Sequence, residues 1–198
     1  MSQEKLFENN SETVSVHENT ALKAKVIGIG GAGLSLVDGL RLDNFTGVDQ
    51  LAIDVDARAL GDSIASEKMA IGRTLTRGMG TGGETALARK AIEEEKENIR
   101  KSLEGVDLIF LLAGLGGGTG GGATPAIAKL ARESGALVFA FVPMPLVGKK
   151  VVMLKQRILW QNCASLPMQL FHFPMILFYK WGGQMPPHLN ALRRQAEM

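Results

Sequence analysis

The residues of this chain whose spacing could do chemistry are glycines. Seven of the nine positions from Gly114 to Gly122 are glycine, directly after the apolar run Leu108-Ile109-Phe110-Leu111-Leu112 and before Ala123-Thr124-Pro125-Ala126-Ile127-Ala128. Glycine loses more backbone freedom on folding than any other residue, so such a run is costly unless bare backbone must come close to something. A phosphate chain is the usual something, because amide groups in a loop and at a helix N-terminus form a positively polarised cradle. A second cluster, Gly28-x-Gly30-x-x-Gly33, has dinucleotide-fingerprint spacing, with Asp54 about 20 residues on, where an acid can accept from a ribose hydroxyl. A third is Arg77-Gly78-Met79-Gly80-Thr81-Gly82-Gly83. No Gly-x-x-x-x-Gly-Lys-Ser/Thr occurs. Without a P-loop lysine, phosphates would be held by backbone amides, the Thr119 hydroxyl, helix dipoles and a Mg²⁺ ligated mainly by phosphate oxygens and water.

Hydrophobic patterning supplies the elements that must position these clusters. Short apolar runs predict strands over 24–30, 50–55, 69–71, 107–112 and 136–142. A helix with an apolar face is predicted over 34–40, and a long one over 84–103, where Leu87, Ala91, Ile92, Ile99 and Leu103 share a face. Glu93, Glu94, Lys96 and Glu97 make its solvated side. The helix after the glycine-rich loop is expected to have Thr124 as N-cap, Pro125 in its first turn and Gly135 just past its end. Strands alternating with helices imply an α/β fold with a parallel, doubly wound, Rossmann-like sheet. In the order 3-2-1-4-5, the connections after strands one and four face each other across the switch-point crevice, so both glycine clusters serve one ligand.

Composition narrows the function classes. With 198 residues, 45% hydrophobic and 21% charged, the chain reads as globular, and a net charge of +2 without a basic stripe argues against a nucleic-acid partner. One cysteine, Cys163, allows no internal disulfide and suits the cytoplasm. Residues 1–23 are polar and acidic and read as a flexible tail without signal-peptide features. The apolar segment 166–179 is interrupted by Pro167, Gln169, His172 and Pro174. It is shorter than the roughly 20 apolar residues of a membrane-spanning helix, so no transmembrane segment is expected. No catalytic or metal-ligating set stands out, since His17, His172 and His188 lie in the tails.

The run Gly116-Gly117-Gly118-Thr119-Gly120-Gly121-Gly122 resembles the signature of the tubulin/FtsZ family of GTPases. Three further stretches are similar to that family in order and spacing: Lys25 to Gly33, Leu75 to Gly80, and Gly105-Val106-Asp107. The resemblance covers residues 24–146. It implies that Gly31, Ala32 and Gly33 hold phosphates on one side and Gly118, Thr119 and Gly120 on the other, with Asp54, Asp56 and Gly80 to Gly83 near the ribose and terminal phosphate. The candidate nucleotide-binding set is Gly30, Gly31, Ala32, Gly33, Ser35, Asp54, Asp56, Gly80, Thr81, Gly82, Gly83, Gly116, Gly117, Gly118, Thr119, Gly120 and Gly121. GTP or GDP is the implied ligand, and subunits of the same family are the implied partners. Departures are present. Asp54 stands where the family has an asparagine, Gly121 where it has a small hydroxyl residue or alanine, and Leu34-Ser35 where it has glycine or asparagine followed by asparagine. Residues 145–151 lack the glutamate and arginine that help the family hold nucleotide.

Beyond this stretch the composition changes. From Ser134 to Ala196 there is no Asp or Glu, and the single Cys, the single Tyr and both Trp lie past residue 151. Reverse translation of Phe173 to Gly182, read from the last base of each codon, permits a segment resembling one that the family carries after its sixth strand. The same shift over Lys155 to Ala164 permits an amphipathic helix. The expectation is a one-base frameshift between about Leu146 and Lys155, giving a non-family tail over 147–198, which the gene sequence would decide. The family completes hydrolysis with carboxylates at a subunit interface, so the resemblance implies nucleotide binding with defective hydrolysis and polymerisation here. Two other readings remain open from residues alone: an NAD-linked oxidoreductase domain, on Gly28 to Gly33 and Asp54, and a non-catalytic fragment that engages filaments of a full-length relative.

Overall fold

The computed structural model describes residues 22–45, 47–144 and 169–174. β1 (Ala24–Ile29) leads into α1 (Gly30–Leu42), β2 (Asp49–Asp54), α2 (Ala57–Asp62), β3 (Glu67–Ala70) and the single turn α3 (Arg73–Thr76). Then follow α4 (Thr85–Glu94), α5 (Lys96–Leu103), β4 (Leu108–Ala113), α6 (Gly118–Glu133), β5 (Leu137–Met144) and β6 (Gln169–Pro174). The strands form one sheet in the order β3-β2-β1-β4-β5-β6, every pairing parallel. The expected order of the first five strands and the α/β class therefore hold. β6 comes from the compositionally distinct segment and lines up Phe139 with Gln169 through Met144 with Pro174. The rest of the expected tail, and nearly all of 1–23, lie outside the described residues.

Alternation along the central strands divides the core between the two sheet faces. Ile27, Ile29, Leu51, Ile53, Ile109 and Leu111 pack with α4, α5 and α6, through Ala88, Ile92, Ile99, Leu103 and Ile127. Val26, Ala52 and Leu112 face α1 and α2, through Leu34, Leu36, Val37 and Leu60. These two layers hold the C-terminal ends of β1, β2 and β4 rigidly along one edge, where the helix N-termini begin.

Two local expectations are corrected. The long helix over 84–103 is two helices, since the chain leaves helical geometry at Glu95, where φ is −101° and ψ 11°. Both halves keep buried residues, Ala88, Ala91 and Ile92 in α4 and Ile99 and Leu103 in α5, so burial continues across the break and periodicity alone did not reveal it. The glycine-rich stretch is only partly a loop, because α6 already begins at Gly118. Thr124 is therefore not its N-cap: it is fully buried in the second turn, donating its hydroxyl to the carbonyl of Gly120 at 2.5 Å. Pro125 is likewise inside the helix. Glycine disfavours helix by about 1 kcal/mol per residue relative to alanine, so propensity argued for a later start. Packing overrides it. A Cβ at Gly122 would run into the Thr85 carbonyl and come within 2.8 Å of Ala88 Cβ, and one at Gly118 would strike Thr81 and Gly83. Gly135, by contrast, ends the helix as expected, with φ +89°.

Candidate anion-binding site

α1 and α6 start at the C-terminal ends of β1 and β4, neighbouring strands of the sheet, so their N-termini arrive side by side. Gly30 opens α1 with φ +71°, and a Cβ there would lie 2.9 Å from the Gly120 backbone nitrogen and 3.3 Å from Thr119 Cβ. A Cβ at Gly120 would in turn collide with the Gly114 carbonyl, and one at Gly114 would lie 2.8 Å from Ala32 Cβ. The expected juxtaposition of the two clusters is thus a backbone-to-backbone contact. Neither helix has a side-chain cap: the N-cap positions are Ile29 and Gly117. First-turn amides that no side chain caps, at two adjacent helix starts, sum two positive dipole ends on one spot and fit an anion such as a phosphate.

The candidate residues separate by position. Gly31, Ala32, Gly117, Gly82 and Gly83 are exposed, and a Cβ at Gly31 or Gly117 would meet nothing within 4 Å, which leaves room beside the first turns. Gly33, Gly118, Thr119, Gly120 and Gly121 are buried, Gly33 against the Leu112 carbonyl, so they shape the cradle from behind. Gly116 is half-buried in the turn before α6. Ser35 lies one turn further along α1, its hydroxyl donating to the Gly31 carbonyl at 3.0 Å.

A third wall comes from residues 77–84. The Ala57 amide donates to the Gly78 carbonyl at 3.0 Å, and Asp56 bridges to Met79, tying this segment to the end of β2. Gly80 has φ +78°, and a Cβ there would lie 3.6 Å from an Asp56 carboxylate oxygen. Asp56 itself caps α2, accepting from the amides of Arg58 at 2.9 Å and Ala59 at 3.3 Å. Thr81 is buried against Gly118, which joins the wall to α6.

Asp54 ends β2 and is 3% exposed. One carboxylate oxygen accepts from the amides of Val55 at 2.7 Å and Asp56 at 3.2 Å, and the Thr119 side chain reaches the same carboxyl. Burial pushes its pKa above the usual carboxylate value, while those hydrogen bonds pull the other way and the Asp56 charge adds to the rise. Sequence reasoning placed Asp54 near a ribose. The link to Thr119, about 65 residues away, had no signal in the sequence, since it depends on the β2-β1-β4 order. Among the described residues no group of three or more metal-ligating side chains gathers, and no helix is long and apolar enough to cross a membrane.

With this geometry in place, comparison with known proteins gives a consistent answer. Residues 23–166 match the model of the Tubulin/FtsZ family, GTPase domain. The cell division protein FtsZ of Methanothermobacter thermautotrophicus is 40% identical over 138 residues, which is 70% of this chain and 36% of that protein. The chain spans about a third of the length of the curated relatives it matches. Among solved structures, the empty FtsZ dimer of M. jannaschii superposes with a TM-score of 0.76 at 33% identity, covering 87% of this chain and 50% of that one. A GTPγS-bound protofilament of CetZ2 from Haloferax volcanii gives 0.71 at 26% identity, covering 83% and 52%.

Proposed function

From the premise that the chain belongs to the Tubulin/FtsZ family, GTPase domain, we propose that its α1–α6 cradle binds the phosphates of GTP or GDP. The observation that carries this is the contact of two helix starts without side-chain caps, Gly30 against Gly120. The first-turn amides of both helices hold the phosphates, Thr119 adds a hydroxyl, and Gly80 to Gly83 line the third side. Asp54 and Asp56 stand toward the ribose and terminal phosphate. Mg²⁺, where it accompanies the nucleotide, is held mainly by phosphate oxygens and water, in keeping with the absence, among the described residues, of any group of three or more metal-ligating side chains. The fingerprint Gly28-x-Gly30-x-x-Gly33, which also admitted an NAD-linked reading, is accounted for by the same cradle.

Support for partners comes from relatives whose structures are a dimer and a protofilament. On that footing the partner of this chain is an FtsZ-type subunit, either a second copy or a longer relative, and the setting is the cytoplasm. Residues 134–196, which hold no Asp or Glu, are proposed to supply no carboxylate to hydrolysis at a subunit interface. Residues 24–146 are proposed as the nucleotide-binding unit and 147–198 as a segment of different composition, into which the family match extends as far as residue 166. Calorimetric titration with GDP, GTP, ATP and NAD at fixed salt and Mg²⁺ tests the reading. Tighter binding of NAD than of guanine nucleotide overturns it. Sedimentation with a full-length FtsZ tests the partner.

A further inference from the structure

We propose that Asp54 is a specificity-determining residue of the cradle, which admits a polyphosphate only together with one proton taken up on the Asp54 carboxyl. The inference rests on the nucleotide-binding reading above and goes beyond it. Asp54 is buried at the end of β2 and held by the Val55 and Asp56 amides. Its carboxyl is also in contact with Thr119, the second residue of α6. Ionised, it is an internal anion drawing on the positive field of the α6 N-terminus, the same field a phosphate would use. Two full negative charges at one such site repel, and a like charge a few ångströms away shifts a carboxyl by about 1–3 pKa units.

Among the described residues, no charged side chain of the cradle itself offsets that repulsion. The first turns of α1 and α6, the turn 114–117 and residues 78–83 carry no charged side chain. Among the described residues of the neighbouring elements, Arg58, Arg73, Arg77 and Glu84 are exposed, and the Asp56 charge acts on Asp54 with the same sign. Burial acts in the direction of the protonated form, the same direction as the proposed uptake. A carboxylic acid keeps one oxygen for the Val55 and Asp56 amides and loses only the charge.

The test is calorimetry of GDP binding to the 198-residue chain with EDTA present, from pH 6 to 8, in buffers of different ionisation enthalpy. Amides alone prefer the fully ionised phosphate and would release protons, so net uptake has the opposite sign. The expected result is proton uptake and affinity that rises as pH falls. Asp54→Asn should bind about tenfold tighter at the alkaline end, one pKa unit of linkage, with the uptake gone. Asp54→Glu should retain it. Should Asp54→Asn fail to fold, the wild-type proton count still decides, because release or no exchange overturns the proposal. Equal proton counts in wild type and Asp54→Asn also overturn it. Failure of the wild-type chain to bind GDP at any pH overturns this proposal and the nucleotide reading together, whereas wild-type binding with loss of binding in Asp54→Asn, or with matching pH profiles, overturns this one alone.

Discussion

Gly30 and Gly120 approach so closely that a Cβ on Gly30 would stand 2.9 Å from the Gly120 nitrogen, in a backbone with φ +71°. Both conditions exclude a side chain. Gly30→Ala is expected to cost about 1–3 kcal/mol of stability, from a left-handed residue other than glycine and a displaced α6. Guanidinium unfolding reads the loss, and GDP titration should show binding weakened in parallel.

Gly31 is the counter-case. It is exposed and a Cβ there meets nothing within 4 Å. Gly31→Ala, inside α1, should leave stability unchanged or raise it by up to about 1 kcal/mol, the helix preference of alanine over glycine. Its methyl would occupy space beside the α1 amides, so GDP binding should fall by about tenfold, a loss of roughly 1.4 kcal/mol. Unchanged affinity would place the phosphates elsewhere.

Stability should also depend on pH through Asp54. Its folded-state pKa is raised by burial, so the folded chain holds this proton more tightly than the unfolded chain does. The contribution is therefore most favourable below the ordinary carboxylate value, falls as pH rises toward the raised folded value, and is constant above it. Other carboxylates titrate in the same region, Glu133 with the opposite sign because Arg100 lowers its pKa. The difference between wild type and Asp54→Asn in urea midpoints measured across that range isolates the slope. A flat difference would contradict it.

Ile127, fully buried on α6 against the sheet, tests how firmly that helix is seated. Ile127→Val should cost about 0.5–1.5 kcal/mol and Ile127→Ala about 2–5 kcal/mol, the larger value including the cavity left behind. GDP affinity of the folded Ile127→Val protein should stay near wild type, because the cradle amides lie two to three turns away along α6.

What could be read from residue order was what local physics sets. The apolar runs gave five strands to within a few residues, and their alternation with helices gave a parallel sheet with both glycine clusters at one edge. Three features escaped. The early start of α6 is dictated by Thr85, Ala88 and Thr81 packing onto Gly118 and Gly122, contacts that propensity cannot see. The break at Glu95 leaves the apolar face intact, so its period gave no warning. β6 arises in a stretch whose composition differs from the rest and was read only as a tail. At the site, residue types pointed to a candidate anion cradle, but only the fold joins Asp54 to Thr119.

The two halves of the cradle are separated by about ninety residues of chain, and their contact depends on β1 pairing with β4 around the whole β2–α5 excursion. Closing so long a loop is an entropically late event, and parallel pairings of this range fold slowly. A nascent or partly folded chain with β1, α1 and β2 in place has one helix start and no partner for it. The proposed grip on an anion at two helix starts therefore becomes available only once the sheet's central pairing is complete, which would make ligand capture a late reporter of folding.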